Sequence, residues 1–240
     1  MKIRRAGNLQ LQSLASHPDV RATVDAIMGD LELLRTAATI LREYTGRNPE
    51  GLQDALDAEL LAHAAWDDTV SPSVTQLIAA LSGLYANARS DDDANQKRGK
   101  VLECLVYSVI AKYYDHEICS MNCLVDARAN AYKRVTFKEV DVCAWSNSAM
   151  SGEAYECKTK PHWLTKDDCD NLLAIYHECL PYAVGLRVGM VSFDNSEYVL
   201  QQIRWLAQKS TNPVDYSYLV PFGYNNLLSL NDELPDPQEV

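Results

Sequence analysis

Two β-forming runs, residues 135–145 and 153–158, carry charges inside otherwise apolar sequence, with turn chemistry at 147–152 between them. They read Glu139-Val-Asp141-Val-Cys-Ala-Trp145 and Glu153-Ala-Tyr-Glu156-Cys-Lys158. Alternation and β-branched or aromatic content predict strand, turn and strand. Side chains two apart on a strand share a face, so Glu156 and Lys158 point the same way. Asp141 lies on the preceding strand, where the chain folds back beside Glu156. Two carboxylates about 4 Å apart repel by roughly 4 kcal/mol at an effective dielectric near 20. Positive charge must sit among them, and a divalent metal together with the lysine fits best.

An acid-x-lysine triplet means little by itself. With 33 acids and ten lysines in 240 residues, about one or two arise by chance. The single occurrence, at Glu156, gains weight from its setting: charges in a buried-looking strand cost free energy unless paired or metal-bound.

Charge is unevenly distributed. The chain carries −11 overall, made of −6 over residues 1–93, +2 over 94–164 and −7 over 165–240. The only basic third holds the motif. An acidic protein repels phosphates at long range, so nucleic-acid binding through a local groove should be weak and salt-sensitive, with oligomerisation or a partner supplying affinity. No run of 18 apolar residues and no signal peptide is evident, which leads us to expect a soluble, cytoplasmic protein. Seven cysteines, several in apolar segments, read as reduced buried thiols. His116-x2-Cys119-x3-Cys123 lacks a fourth ligand at zinc-finger spacing.

Residues 1–16 show no period. Three helices are then expected, each with proline near its start. Pro18 precedes a stripe of Val20, Val24, Ile27, Leu31, Leu34, Ala38 and Leu41, and Asn48-Pro49-Glu50 and Ser71-Pro72 open the next two. His63 falls at the edge of the second. Ser90-Asp-Asp-Asp93 reads as a solvated loop and a domain boundary, dividing a helical module (1–93, for dimerisation or regulation) from a second domain (94–240). A fourth helix spans about 96–114, with Glu103 at the rim of its apolar stripe. Strands near 117–125, 134–145 and 153–158 follow, then a helix over 163–179, an interior strand at 184–193, a helix over 196–208, an edge strand at 216–220 and a polar tail.

This order resembles the PD-(D/E)XK, or restriction-endonuclease-like, nuclease superfamily over residues 96–210. The resemblance rests on Arg98-Gly-Lys-Val-Leu-Glu103, Glu139-Val-Asp141-Val and Glu156-Cys-Lys158. It implies an α/β fold with a mixed central sheet flanked by helices, here preceded by an all-helical N-terminal module. It further implies that Asp141, Glu156 and the backbone carbonyl of Cys157 hold Mg²⁺ or Mn²⁺. Lys158 would position or activate water, and Glu103 would contact the metal. Val140 replaces the family's proline, and the helix after the motif lacks a Gln-x3-Tyr pattern, having only Asn171 and Tyr176.

The residue chemistry agrees. Phosphodiester hydrolysis needs charge neutralised on phosphoryl oxygens and a nucleophilic water near pH 7. Hard carboxylate ligands with open positions suit Mg²⁺. A metal beside Lys158 would lower its pKa. Arg98, Lys100 and Lys160 flank the motif as candidate phosphate contacts. No Ser-His-Asp spacing, G-x-S-x-G or phosphate-cradling glycine loop appears. The expectation is a Mg²⁺-dependent endonuclease acting on DNA more than RNA, as effector of a prokaryotic restriction or anti-phage defence system, dimerised or gated through residues 1–93. The alternative is a nuclease-like interaction module that recruits, or is governed by, a partner protein.

Overall fold

The computed structural model describes residues 2–5, 13–64, 71–112, 119–126, 138–209, 214–232 and 234. The chain forms two compact units, Leu9–Leu105 and Met1–Asn8 with Val106–Val240. The expected boundary at Ser90–Asp93 is instead the start of a helix. Ser90 Oγ accepts the Asp93 N–H at 3.1 Å, and Asp93 Oδ2 accepts the Arg89 N–H at 2.8 Å. A Ser-x-x-Asp sequence supplies this reciprocal capping, and three acids suit the positive end of the helix.

The first unit contains helices α1 (Pro18–Gly29), α2 (Leu34–Glu43), α3 (Pro49–Ala64) and α4 (Pro72–Ala86), and most of α5 (Asp91–Ile110). Proline opens α1, α3 and α4 as expected; Asn48 Oδ1 and Ser71 Oγ accept backbone N–H groups at 3.1 and 3.3 Å. The stripe from Val20 to Leu41 is not one helix. It breaks at Gly29–Asp30, where Asp30 takes an extended conformation and caps a 3-10 turn at Leu31–Leu33. Gly, then an Asp able to satisfy the next turn, is enough to interrupt a stripe that continues on both sides. Val20, Val24, Ile27, Leu41, Leu77, Leu81 and Leu84 are buried. The His63 side chain and the tail at 235–240 lie outside the described residues.

The second unit is built on a six-stranded sheet in sequential order: β1 (Lys2–Arg5), β2 (Cys119–Asp126), β3 (Lys138–Ser146), β4 (Ser151–Lys158), β5 (Gly185–Ser192) and β6 (Leu219–Phe222). β1 to β4 are antiparallel, whereas β5 and β6 run parallel to β4, so the sheet is mixed. Helices α6 (Lys166–Cys179) and α7 (Ser196–Lys209) connect the parallel strands and pack on the sheet. Their residues Cys169, Leu172, Ile175, Val199, Ile203 and Leu206 share a core with Cys143, Trp145, Ala154, Val188 and Met190. This is an α/β architecture. β5 is buried along its whole length, as its apolar run required.

Several boundaries differ from expectation. β1 pairs with β2, although its four residues, Lys-Ile-Arg-Arg, show no pattern. Residues 113–118 and 134–137, which the sequence reading assigned to a helix end and two strand starts, lie outside the described residues. Trp163 belongs to a separate 3-10 turn at Pro161–Trp163, because Thr165 caps α6 only from Lys166 onward. The edge strand starts at Leu219 and tolerates Pro221 because, among the described residues, no strand pairs beyond it.

Candidate functional site

The β3–β4 hairpin turns through residues 147–150. Trp145 Nε1 donates to Asn147 Oδ1 at 3.1 Å and the Ala149 N–H to Ser146 Oγ at 3.2 Å. Gly152 faces Trp145 across the hairpin. A Cβ there would lie 2.4 Å from the indole and 2.7 Å from the Ala144 carbonyl, so only glycine lets the strands close.

The hairpin register runs from Ser146↔Ser151 to Val142↔Tyr155. One step further would set Asp141 opposite Glu156. At this step the side chain of Asp141 takes over the pairing: its Oδ2 accepts the backbone N–H of Cys157 at 2.8 Å. The strand alternation keeps Glu156 and Lys158 on one face, and Lys158 Nζ lies 2.5 Å from Glu156 Oε1. The structure therefore brings Asp141, Glu156 and Lys158 together. Glu139, on the same strand, is exposed.

A third acid joins them. Asp168, at the start of α6, places Oδ1 3.6 Å from Lys158 Nζ. Its Oδ2 accepts both the N–H and the Oγ–H of Thr165, each at 2.8 Å. The Thr165-x-x-Asp168 capping signature is visible in sequence. That the carboxylate's other oxygen faces the lysine that ends β4 required the packing of α6 on the sheet.

Three carboxylates act on one ammonium, and the imbalance shows in the protonation of Glu156 and Lys158. Burial and the nearby Asp141 charge push the Glu156 carboxyl up to about 8, against which Lys158 pulls it down. Burial would lower the Lys158 ammonium, but Glu156, Asp141 and Asp168 outweigh it and hold the group above its ordinary value. The expected lowering of Lys158 presumed a cation next to it; the protein's own charges act in the opposite direction. Glu156 is only 9% exposed. Negative charge in excess, presented by hard oxygen donors at low exposure, fits a divalent cation. Among the described residues no three His, Cys, Asp or Glu side chains form a ready-made cation cage. Asp141, Glu156 and the Cys157 carbonyl would supply only part of a coordination shell, leaving the rest to water and substrate oxygens, as Mg²⁺ prefers.

The remaining candidates divide differently. Lys160 is half-buried just beyond β4. Glu103 belongs to the helical unit, where it pairs with Lys100 Nζ. Arg98 and Lys100 are no phosphate contacts on an open surface: they are 0% and 1% exposed. Arg98 Nη1 donates at 2.5 Å to the Tyr44 carbonyl at the C-terminus of α2, which also accepts the Tyr85 hydroxyl at 3.1 Å. A buried guanidinium satisfies orphan carbonyls at a helix end and complements the helix dipole. Lys97, 1% exposed, likewise lies 3.0 Å from Asp19 Oδ2. Arg98 and Lys100, expected as phosphate contacts, are internal fastenings, as is Lys97.

All seven cysteines are free and buried. Burial pushes the Cys119, Cys169 and Cys179 thiols up to about 12, which leaves little thiolate for chemistry. Among the described residues no helix is long and apolar enough to cross a membrane.

No protein-family model matches the chain, and no curated protein matches its sequence. Among solved structures, it is similar to protein VC1899 from Vibrio cholerae at 19% identity and a TM-score of 0.40, over 96% of this chain. The chain spans 56% of the length of that protein.

Proposed function

We propose that this protein is a Mg²⁺- or Mn²⁺-dependent endonuclease that hydrolyses phosphodiester bonds, in DNA rather than RNA, on a restriction-endonuclease-like sheet. One observation carries the reading: Asp141, Glu156 and Lys158 converge where β3 and β4 stop pairing. The mixed sheet, with three antiparallel strands, a helix and a parallel strand in succession, supports it further.

Asp141 and Glu156 would hold the ion with the Cys157 carbonyl. Bound there, the ion would neutralise a phosphoryl oxygen and make water acidic enough to attack near neutral pH. Lys158, kept charged by its neighbours, is suited to orient that water and stabilise developing phosphoryl charge rather than to remove a proton. Asp141 is held in place by the Cys157 N–H, so one carboxylate is oriented before any ion arrives. Lys160 lies near enough in sequence to reach a backbone phosphate. The helical unit is the proposed dimerisation or gating module, since cutting both strands of a duplex calls for two sites. A role in restriction or anti-phage defence rests on the family likeness alone.

The test is plasmid cleavage by purified protein in Mg²⁺ or Mn²⁺. Wild type should nick or cut, and Lys158→Ala should melt as wild type does yet cut nothing. Equal cleavage by that variant would rule out the assignment.

A second reading, a nuclease-like module that acts through a partner protein, is favoured by the burial of Arg98 and Lys100, which removes two of the expected phosphate contacts. Under it, Asp141→Asn would leave function intact.

A further inference from the structure

We infer that Asp168 is a positioning residue that anchors Lys158 at the site; the inference rests on the nuclease reading above and adds a residue to it. The two oxygens of Asp168 serve different groups. Oδ2 is fixed by the N–H and hydroxyl of Thr165, both at 2.8 Å, and Thr165 Oγ1 in turn accepts the Asp168 N–H at 3.2 Å. This capping box sets the carboxylate's orientation and uses one oxygen. Oδ1 is thereby directed to Lys158 Nζ at 3.6 Å, within ion-pair range and short of a hydrogen bond.

Lys158 thus stands between two acids: Glu156 Oε1 on its own strand and Asp168 Oδ1 on the helix packed against the sheet. Glu156 serves as a proposed metal ligand. A carboxylate given to a cation has less to offer an ammonium, and Asp168 is then the acid that keeps Lys158 from swinging to solvent. The need is real, since the Lys158 side chain is 26% exposed and has water to turn to. Holding a catalytic group in one orientation is worth about tenfold or more in rate. Capping alone needs no second oxygen facing a lysine.

Asp168→Asn separates the roles. The amide oxygen still caps Thr165, but the charge facing Lys158 is gone. Thr165→Ala removes the capping hydroxyl, while the backbone N–H of residue 165 still holds Oδ2 and so keeps Oδ1 on Lys158. Three readouts are needed: the Lys158 ammonium cross-peak in ¹⁵N-lysine NMR, which is seen when pairing slows exchange with water; Mn²⁺ affinity by calorimetry; and plasmid turnover in Mg²⁺. In Asp168→Asn the cross-peak should vanish and turnover fall about tenfold or more, with Mn²⁺ affinity and melting temperature nearly unchanged. Thr165→Ala should melt earlier but keep both the cross-peak and the turnover. An unchanged cross-peak or unchanged turnover in Asp168→Asn overturns the assignment, as does an equal loss in Thr165→Ala. Wild-type protein that cuts nothing, while Asp168→Asn still abolishes the cross-peak, supports the anchor and sinks the nuclease reading instead.

Discussion

Asp141 completes with its side chain the strand pairing that its backbone leaves off, its Oδ2 accepting the Cys157 N–H at 2.8 Å. The same bond that ends the hairpin ladder holds a carboxylate whose charge acts on Glu156. Fold and site are therefore coupled at one hydrogen bond. Replacing Asp141 tests both.

Asp141→Asn keeps an acceptor for the Cys157 N–H and removes a charge. It should lose Mn²⁺ affinity about tenfold or more in calorimetric titrations, with little change in melting temperature. Asp141→Ala should bind no better and also lose about 1–3 kcal/mol of stability, because it leaves a backbone donor unsatisfied. Denaturant titration of the two variants reads the difference.

The raised Glu156 carboxyl gives a pH dependence whose sign is fixed. With a folded-state pKa of about 8 against an ordinary 4.5, the folded protein binds this proton more tightly than the unfolded chain. Its contribution to stability is full below about 4.5 and is lost as pH rises through about 8. In chelator, the melting temperature should fall between pH 5 and pH 8 by an amount that Glu156→Gln removes. Cation binding at neutral pH should release a proton, visible as a buffer-dependent enthalpy.

Gly152→Ala should destabilise the hairpin by about 1–3 kcal/mol, the cost of forcing a methyl group into packed surroundings. The added carbon meets both the Trp145 ring and the Ala144 carbonyl oxygen, and a carbonyl in a paired strand has nowhere to move. Tryptophan fluorescence and the denaturation midpoint should shift together.

Arg98→Ala should cost stability, about 1.5–3 kcal/mol for a hydrogen bond from a charged group. It should leave the salt dependence of DNA binding unchanged, because a side chain 0% exposed releases no counterion from DNA. A shallower salt slope in this variant, measured by fluorescence anisotropy, would place Arg98 on the binding surface.

Much of the sheet was legible because its strands declare themselves locally. β3 and β4 alternate and end in turn residues, and β5 is an apolar run of strand length. β1 was not legible, since Lys2 to Arg5 pairs with β2, more than a hundred residues away. The break at Gly29–Asp30 was hidden by a hydrophobic stripe that resumes after it. Asp141, Glu156 and Lys158 could be named from register alone, because strand spacing determines which residues face each other. Asp168 could not. Its capping role is local, while its approach to Lys158 depends on how α6 lies against β4. Arg98 and Lys100 misled for the opposite reason: charge on a helix reads as solvated until the helix's neighbours are known.

The most direct test is an anomalous difference map from crystals soaked in Mn²⁺. A peak is expected within about 2–2.5 Å of carboxylate oxygens from both Asp141 and Glu156. Mn²⁺ bound elsewhere in the same crystals, with no density between these two side chains, would contradict it.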